Sequence, residues 1–225
     1  RNPTESGGWA SAGQLVAVAL PLAVVAAGLV RLSAFAGGPY WWILAGAAST
    51  AGLLAALHAA PSVVGRLSGA RRVEREALHE RLVRLSSQAG VPVREFLDLP
   101  DGRRAATTAL VSGVGASRRV FVSSELVRDW TDDEIAVVVA HELGHHAHHD
   151  LWRAVALDGA ILWAGLGASA AVFRLSPGTF GAAGAGALAA FPLIVLVTGV
   201  VWFLATPARH AQSRHHERRA DAFAL

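Results

Sequence analysis

TDDEIAVVVAHELGHHAHHD spans residues 131–150 and begins as a helix begins. Thr131 followed by Glu134 is a capping box, in which the hydroxyl and the carboxylate satisfy backbone N–H groups at the helix start. Ile135, Val138 and Val139 then give the helix an apolar face. Further along, His141 and His145 stand at i and i+4, on one face, so both imidazoles can reach one ion. Glu142 is offset by one residue. It can reach a water on that ion without ligating it. The chain has no Cys, so any metal must be held by His, Asp or Glu.

Outward from this helix the chain turns apolar. Residues 14–30, 40–60, 154–173 and 188–205 are four apolar runs, the third interrupted by Asp158. Each is about 17–21 residues long, the length a helix needs to cross a bilayer. Of the 225 residues 53% are apolar and only 16% charged, against about 25% charged in an ordinary soluble domain. Four buried core helices would need far more polar covering than remains. The expectation is a mainly α membrane protein with about four transmembrane helices and a small α+β domain. The run at 14–30 could instead be the hydrophobic region of a signal peptide, but a second run follows at once and a retained span is expected.

All 20 basic residues are Arg, and the net charge is +3. They cluster beside apolar runs, so no nucleic-acid partner is expected. Arg66, Arg71, Arg72 and Arg75 follow the second run, and Arg209, Arg214, Arg218 and Arg219 follow the fourth, whereas the other connections hold Arg31 and Arg174. The positive-inside rule then places residues 61–150 and the C-terminal segment in the cytoplasm. Trp41, Trp42, Trp152 and Trp202 fit positions in interfacial belts.

Between the second and third runs lies the polar segment long enough to fold. Residues 72–89 read as an amphipathic helix with Val73, Ala77, Leu78, Leu82 and Leu85 on one face, ended by Gly90. Residues 91–97, 107–111 and 120–123 read as short strands, with turns at Pro100-Asp101-Gly102 and at 113–119. Beyond the fourth run comes SRHHERRAD, residues 213–221. As a helix it places Glu217 and Asp221 on one face. Glu217 can be the third ligand beside His141 and His145, with one position left for water as in catalytic zinc sites. Asp221 can accept from the far nitrogen of a ligand His and fix its tautomer. Glu142 can take the proton of the water as it attacks a carbonyl.

HELGH at 141–145, followed two apolar runs later by SRHHERRAD at 213–221, resembles the integral-membrane zinc metalloproteases that include the CAAX prenyl endopeptidases and the bacterial heat-shock membrane proteases. The resemblance covers about residues 70–225. It implies a zincin-like domain of the gluzincin type with one zinc ion per chain held by His141, His145 and Glu217. It further implies Glu142 as general base and Asp221 supporting a ligand. Thr108-Ala109-Leu110-Val111 and Arg119-Val120-Phe121-Val122 resemble that family's strand pair ahead of the zinc helix, with Thr108 where an Asn usually stands. The implied layout is two spans in 1–62, the catalytic domain in 63–150, two spans in 151–206 and the second ligand helix in 207–225. The chain lacks Met and stops soon after Asp221, so it is expected to be processed or cut from a longer protein.

The expected activity is endoproteolysis at a bacterial inner or cell membrane, with the catalytic domain facing the cytoplasm. The partners are the bilayer and a peptide or protein substrate, either membrane-associated, prenylated or misfolded. Such a substrate would pair with the strand at 107–111 by β-addition. Arg214, His215 and His216 are candidates to stabilise the oxyanion, and Thr108 to contact substrate. His146, His148 and His149 extend the zinc helix and read as solvated or interfacial side chains, with an adventitious or regulatory metal site as the alternative. Asp158 is either a functional group in a wet cavity or a hydrated residue near the interface. No signal for oligomeric state is present. Two rival readings exist. The eight His residues between 141 and 216 resemble the His boxes of membrane di-iron desaturases and hydroxylases, but two boxes would share His145, and Glu142, Glu217 and Asp221 would have no task. A membrane scaffold without catalysis would have no reason to retain Glu142.

Overall fold

A computed structural model of the chain describes Gly28 and residues 38–100, 109–176 and 190–225. Among the described residues six α-helices and four strands follow a short 3-10 turn at Gly38–Tyr40, with a second such turn at Gly115–Ser117. Helix α1 is Trp41–Leu67, strand β1 Arg71–Arg72, helix α2 Glu76–Gln88 and strand β2 Glu95–Leu99. Strands β3, Ala109–Ser112, and β4, Arg119–Ser123, lead into α3, Ser124–Asp129, and α4, Asp132–Ala147. Helix α5 is Asp150–Leu175 and α6 is Phe191–Ala224. Three helices among the described residues, Gly38–Leu67, Asp150–Leu175 and Phe191–Ala224, are long and apolar enough to cross a membrane. The expected span at 14–30 lies outside the described residues, Gly28 apart, as do Asp101-Gly102 and Thr108.

The chain divides into two compact units. The first comprises residues up to 51 together with 159–205. Its helices pack through small residues, which let backbones approach closely in the absence of a strong hydrophobic drive between spans. A Cβ on Gly165 would lie 2.8 Å from the Thr198 methyl, and one on Gly46 would lie 2.8 Å from the Trp163 ring. Trp41, Ala45, Leu166, Ala170 and Ile194 form the buried cluster. Trp41 was expected in an interfacial belt. It is instead 3% exposed and meets Phe173 edge-on, with ring centroids 6.3 Å apart.

The second unit, residues 52–158 and 206–225, holds a four-stranded sheet in the order β1-β2-β4-β3. β2 and β4 run parallel, and β3 pairs antiparallel with β4, matching Val111 to Val120. Leu78, Leu82, Phe96, Val120, Val122, Leu126, Ile135, Val139 and Leu143 close one core between the sheet and helices α2 to α4. The order leaves β3 as an edge strand.

Several expected boundaries shift for identifiable reasons. The helix expected at 72–89 begins at Glu76, because Arg71 and Arg72 pair with Asp98 and Leu97 and the Val73 N–H donates to the Phe96 carbonyl. Ala77, placed on the apolar face, is exposed, whereas Leu78 and Leu82 are buried. The strand expected at 91–97 begins at Glu95. Gly90 has φ +65 and the Val91 N–H returns to the Ser86 carbonyl, so the chain is still closing α2 there. Helix α3 had no counterpart in the sequence reading. Its start is capped by Ser123, whose hydroxyl accepts from the Leu126 N–H at 3.4 Å.

Candidate metal centre

Helix α4 carries three of the residues that the sequence singles out. Its capping box forms as expected: the Thr131 N–H donates to Glu134 Oε2 at 2.8 Å, and the Glu134 N–H donates to the Thr131 hydroxyl at 3.3 Å. Ile135, Val139 and Leu143 face the core and are 0% exposed. Burial of that stripe turns His141, Glu142 and His145 toward a cleft on the other side of the helix, where each is partly exposed.

Glu217 reaches the same place from α6. His141 Nε2 lies 3.5 Å from Glu217 Oε2, and His145 Nε2 lies 3.9 Å from Glu217 Oε1. One ligand atom from each of the three residues falls within 4.8 Å of the others. Tetrahedral bonds of about 2.0–2.1 Å would set ligand atoms about 3.3 Å apart. The three donors therefore fit one small divalent ion with little adjustment. The imidazoles are also aimed: the far nitrogens are occupied by carboxylates. His141 Nδ1 is 3.1 Å from Asp221 Oδ1, and His145 Nδ1 is 3.1 Å from Asp150 Oδ2. An Nδ1–H donated to a carboxylate leaves the Nε2 lone pair free for a metal. Asp221, the carboxylate expected to support a ligand, is the one that lies against His141. The sequence reading missed Asp150.

Close approach of α6 to α4 depends on Gly144. A Cβ there would lie 3.2 Å from the Phe223 side chain and 3.3 Å from the Ala220 Cα. Ala220 is itself fully buried. Glycine at 144 and alanine at 220 thus set the helix separation that brings Glu217 within reach of both imidazoles. Gly144→Leu is expected to force the helices apart, costing about 1–3 kcal/mol as other overpacked sites do. Metal affinity should fall with it. Thermal melting with and without metal checks this.

The histidines beyond the ligands are not simply solvated. His146 is turned inward and its Nε2–H donates to the Val111 carbonyl at 3.3 Å, tying α4 to the edge strand β3. Burial, first of all, holds its pKa below the usual range, so the neutral ring is the form that makes this bond. The His148 ring packs edge-on against Phe223, centroids 5.6 Å apart. Helix α4 ends at Ala147, and His149, exposed, has φ +61. It is the sole non-glycine residue with positive φ among the described residues. This left-handed residue stops the helix that the sequence had suggested would continue.

Glu142 lines a cleft together with His145 and Glu217. Burial is the largest influence on its pKa and raises it. The neighbouring His145 and His141 oppose that, and Glu217 adds to it. The cleft, of about 340 Å³, is also bounded by Val111 of β3, by Asp150, Leu151, Ala154 and Asp158 along α5, and by Arg209, Gln212, Ser213 and His216 along α6. Asp158, ambiguous in the sequence, is paired: Arg209 donates from Nε to Oδ1 at 2.7 Å and from Nη2 to Oδ2 at 3.4 Å. This two-pronged geometry is the favourable one for guanidinium and carboxylate. Of the candidate oxyanion groups, His216 is buried and borders the cleft, while Arg214 and His215 are exposed and do not border it.

Comparison with known proteins places these features in context. The profile described as Peptidase family M48 matches residues 72–225. The "Uncharacterized metalloprotease YhfN" of Bacillus subtilis (strain 168) is 26% identical over 158 residues, covering 68% of this chain and 37% of that protein. The crystal structure of S. mikatae Ste24p superposes with a TM-score of 0.65 at 18% identity, covering 95% of this chain and 53% of that one. The chain thus spans about a third to a half of the length of these relatives. The likeness to Ste24p concerns the fold.

Proposed function

The chain belongs to peptidase family M48, and on that premise we propose that it is a membrane metalloprotease, a zinc endopeptidase centred on His141, Glu142, His145 and Glu217. The observation that carries the proposal is the convergence of two imidazoles and one carboxylate from two helices on one point beside Glu142. Three protein donors of this kind with an open side correspond to a catalytic zinc site, whereas structural sites are closed by four.

A bound zinc ion would supply Lewis acidity toward a carbonyl and a water acidified to near neutrality. The remaining work belongs to the side chains. Glu142 takes the proton of the attacking water and delivers it to the leaving amine, a double duty for which a raised pKa is suited. Asp221 and Asp150 keep His141 and His145 in the tautomers that ligate. The edge strand β3 runs next to the cleft, which its Val111 borders. An extended substrate segment adding to β3 would be led past Glu142. Membrane-associated polypeptides, with prenylated or misfolded ones among them, are the proposed substrates. Arg66, Arg71 and Arg72 beside the end of α1 support a cytoplasmic position for the catalytic unit.

Among the described residues one group of three His, Asp or Glu side chains gathers in this way, which does not favour a two-iron centre. Metal analysis of the purified chain in detergent, paired with cleavage of an unstructured reporter protein, tests the proposal. One zinc per chain and chelator-sensitive cleavage are expected. Two irons, or no metal and no cleavage, would overturn it.

A further inference from the structure

His149 has a second consequence. With φ +61 it breaks the helical path between α4 and α5, and the first residue of α5, Asp150, lies against His145, five positions earlier. Asp150 is 3% exposed, a costly position for a carboxylate unless its oxygens are engaged. One oxygen, Oδ2, faces His145 Nδ1 at 3.1 Å. The other, Oδ1, lies 3.5 Å from Arg153 Nη1 and 3.6 Å from His216 Nε2. Both Oδ1 and the His216 Nε2 are buried without a hydrogen bond inside normal limits. His216 is the residue before Glu217. A single carboxylate thus touches one proposed metal ligand directly and the immediate neighbour of another.

We propose that Asp150 is a positioning residue of the metal centre: it fixes the tautomer and aim of His145 and, through His216, steadies the turn of α6 that presents Glu217. The inference rests on the zinc-site reading above. Its physical basis is general. A ligand imidazole whose far N–H is held by a carboxylate is oriented and made more basic, and loss of such a partner typically weakens metal binding about 10–100-fold. Asp150 also stands in the first turn of α5, where a carboxylate favours the helix. A role confined to stabilising α5 would make the same residue necessary for folding alone, and the test must separate the two.

The full chain in detergent is titrated with zinc against a competing chelator, and its cobalt(II) form is examined by visible absorption. For Asp150→Asn, which keeps size and a hydrogen-bond acceptor, zinc affinity is expected to fall about 10-fold, and for Asp150→Ala about 100-fold. The cobalt bands should change in both, while the melting temperature of metal-free Asp150→Asn stays near that of the parent. His216→Ala should also weaken zinc binding, and its effect should be less than additive with Asp150→Ala, as for groups that act together. Parent-like affinity and cobalt bands in both Asp150 variants would overturn the proposal. So would an affinity loss accompanied by an equal loss of metal-free stability with unchanged cobalt bands. If the parent chain binds no zinc, the zinc-site reading itself fails, a result distinct from either of these.

Discussion

Glu142→Gln is expected to leave zinc bound and to lower peptide cleavage about 10²–10⁴-fold, the range typical for loss of a general acid–base group. Glutamine has nearly the same size, so the half-buried position beside His141 and His145 is preserved. What is lost is the ability to accept a proton and give it back. Glu142 is not one of the three groups whose ligand atoms converge, so metal content should not change. The raised pKa, due first to burial, gives the expectation its force: a carboxyl that holds a proton more readily than usual can serve as base in one step and acid in the next. The measurement pairs turnover with zinc per chain on the same preparation. Cleavage within ten-fold of the parent would remove Glu142 from the chemistry. Loss of zinc would make it a ligand.

The parts of the site legible in the sequence were those with a local rule. The capping box of Thr131 and Glu134 fixed where α4 starts, and the helical period then placed His141 and His145 on one face. Glu217 and Asp221 obeyed the same period on α6. Asp150 could not be found this way. Five residues after His145 is no helical neighbour, and its approach depends on a left-handed backbone at His149, a conformation that histidine adopts more often than most residues but does not announce. His146 and His148 look alike in sequence. One faces Val111 and the other Phe223 only because partners distant in the chain arrive there. The sheet was half legible for a related reason. The antiparallel pairing of β3 and β4 follows from a short connection, whereas the parallel neighbours β2 and β4, and the two-residue strand Arg71–Arg72, are set by long-range packing. Proline normally ends a helix, yet α6 continues through Pro207 from the apolar run to the ligand turn.

Glu217→Ala is expected to lower zinc affinity by more than the roughly 100-fold seen when only an outer partner of a ligand is lost. His141 and His145 would remain, one turn apart on α4, but two imidazoles are short of the three protein donors a catalytic zinc site employs. Exposure makes the experiment clean. The Glu217 side chain is 57% exposed, so its truncation leaves no cavity, and the packing between α4 and α6 rests on Gly144, Ala220 and Phe223 instead. The metal-free variant should therefore melt where the metal-free parent does. Zinc is expected to bind the folded parent and raise its melting temperature, and it should raise that of the variant much less at the same concentration. Glu217→Asp is a sharper form of the same test. Its carboxylate is kept but withdrawn by one methylene, from a position where the separations to the two Nε2 atoms are already 3.5 and 3.9 Å, so it should recover only part of the affinity. If Glu217→Ala binds zinc as the parent does, the third donor lies elsewhere, and the convergence of α6 on α4 has some purpose other than sharing an ion.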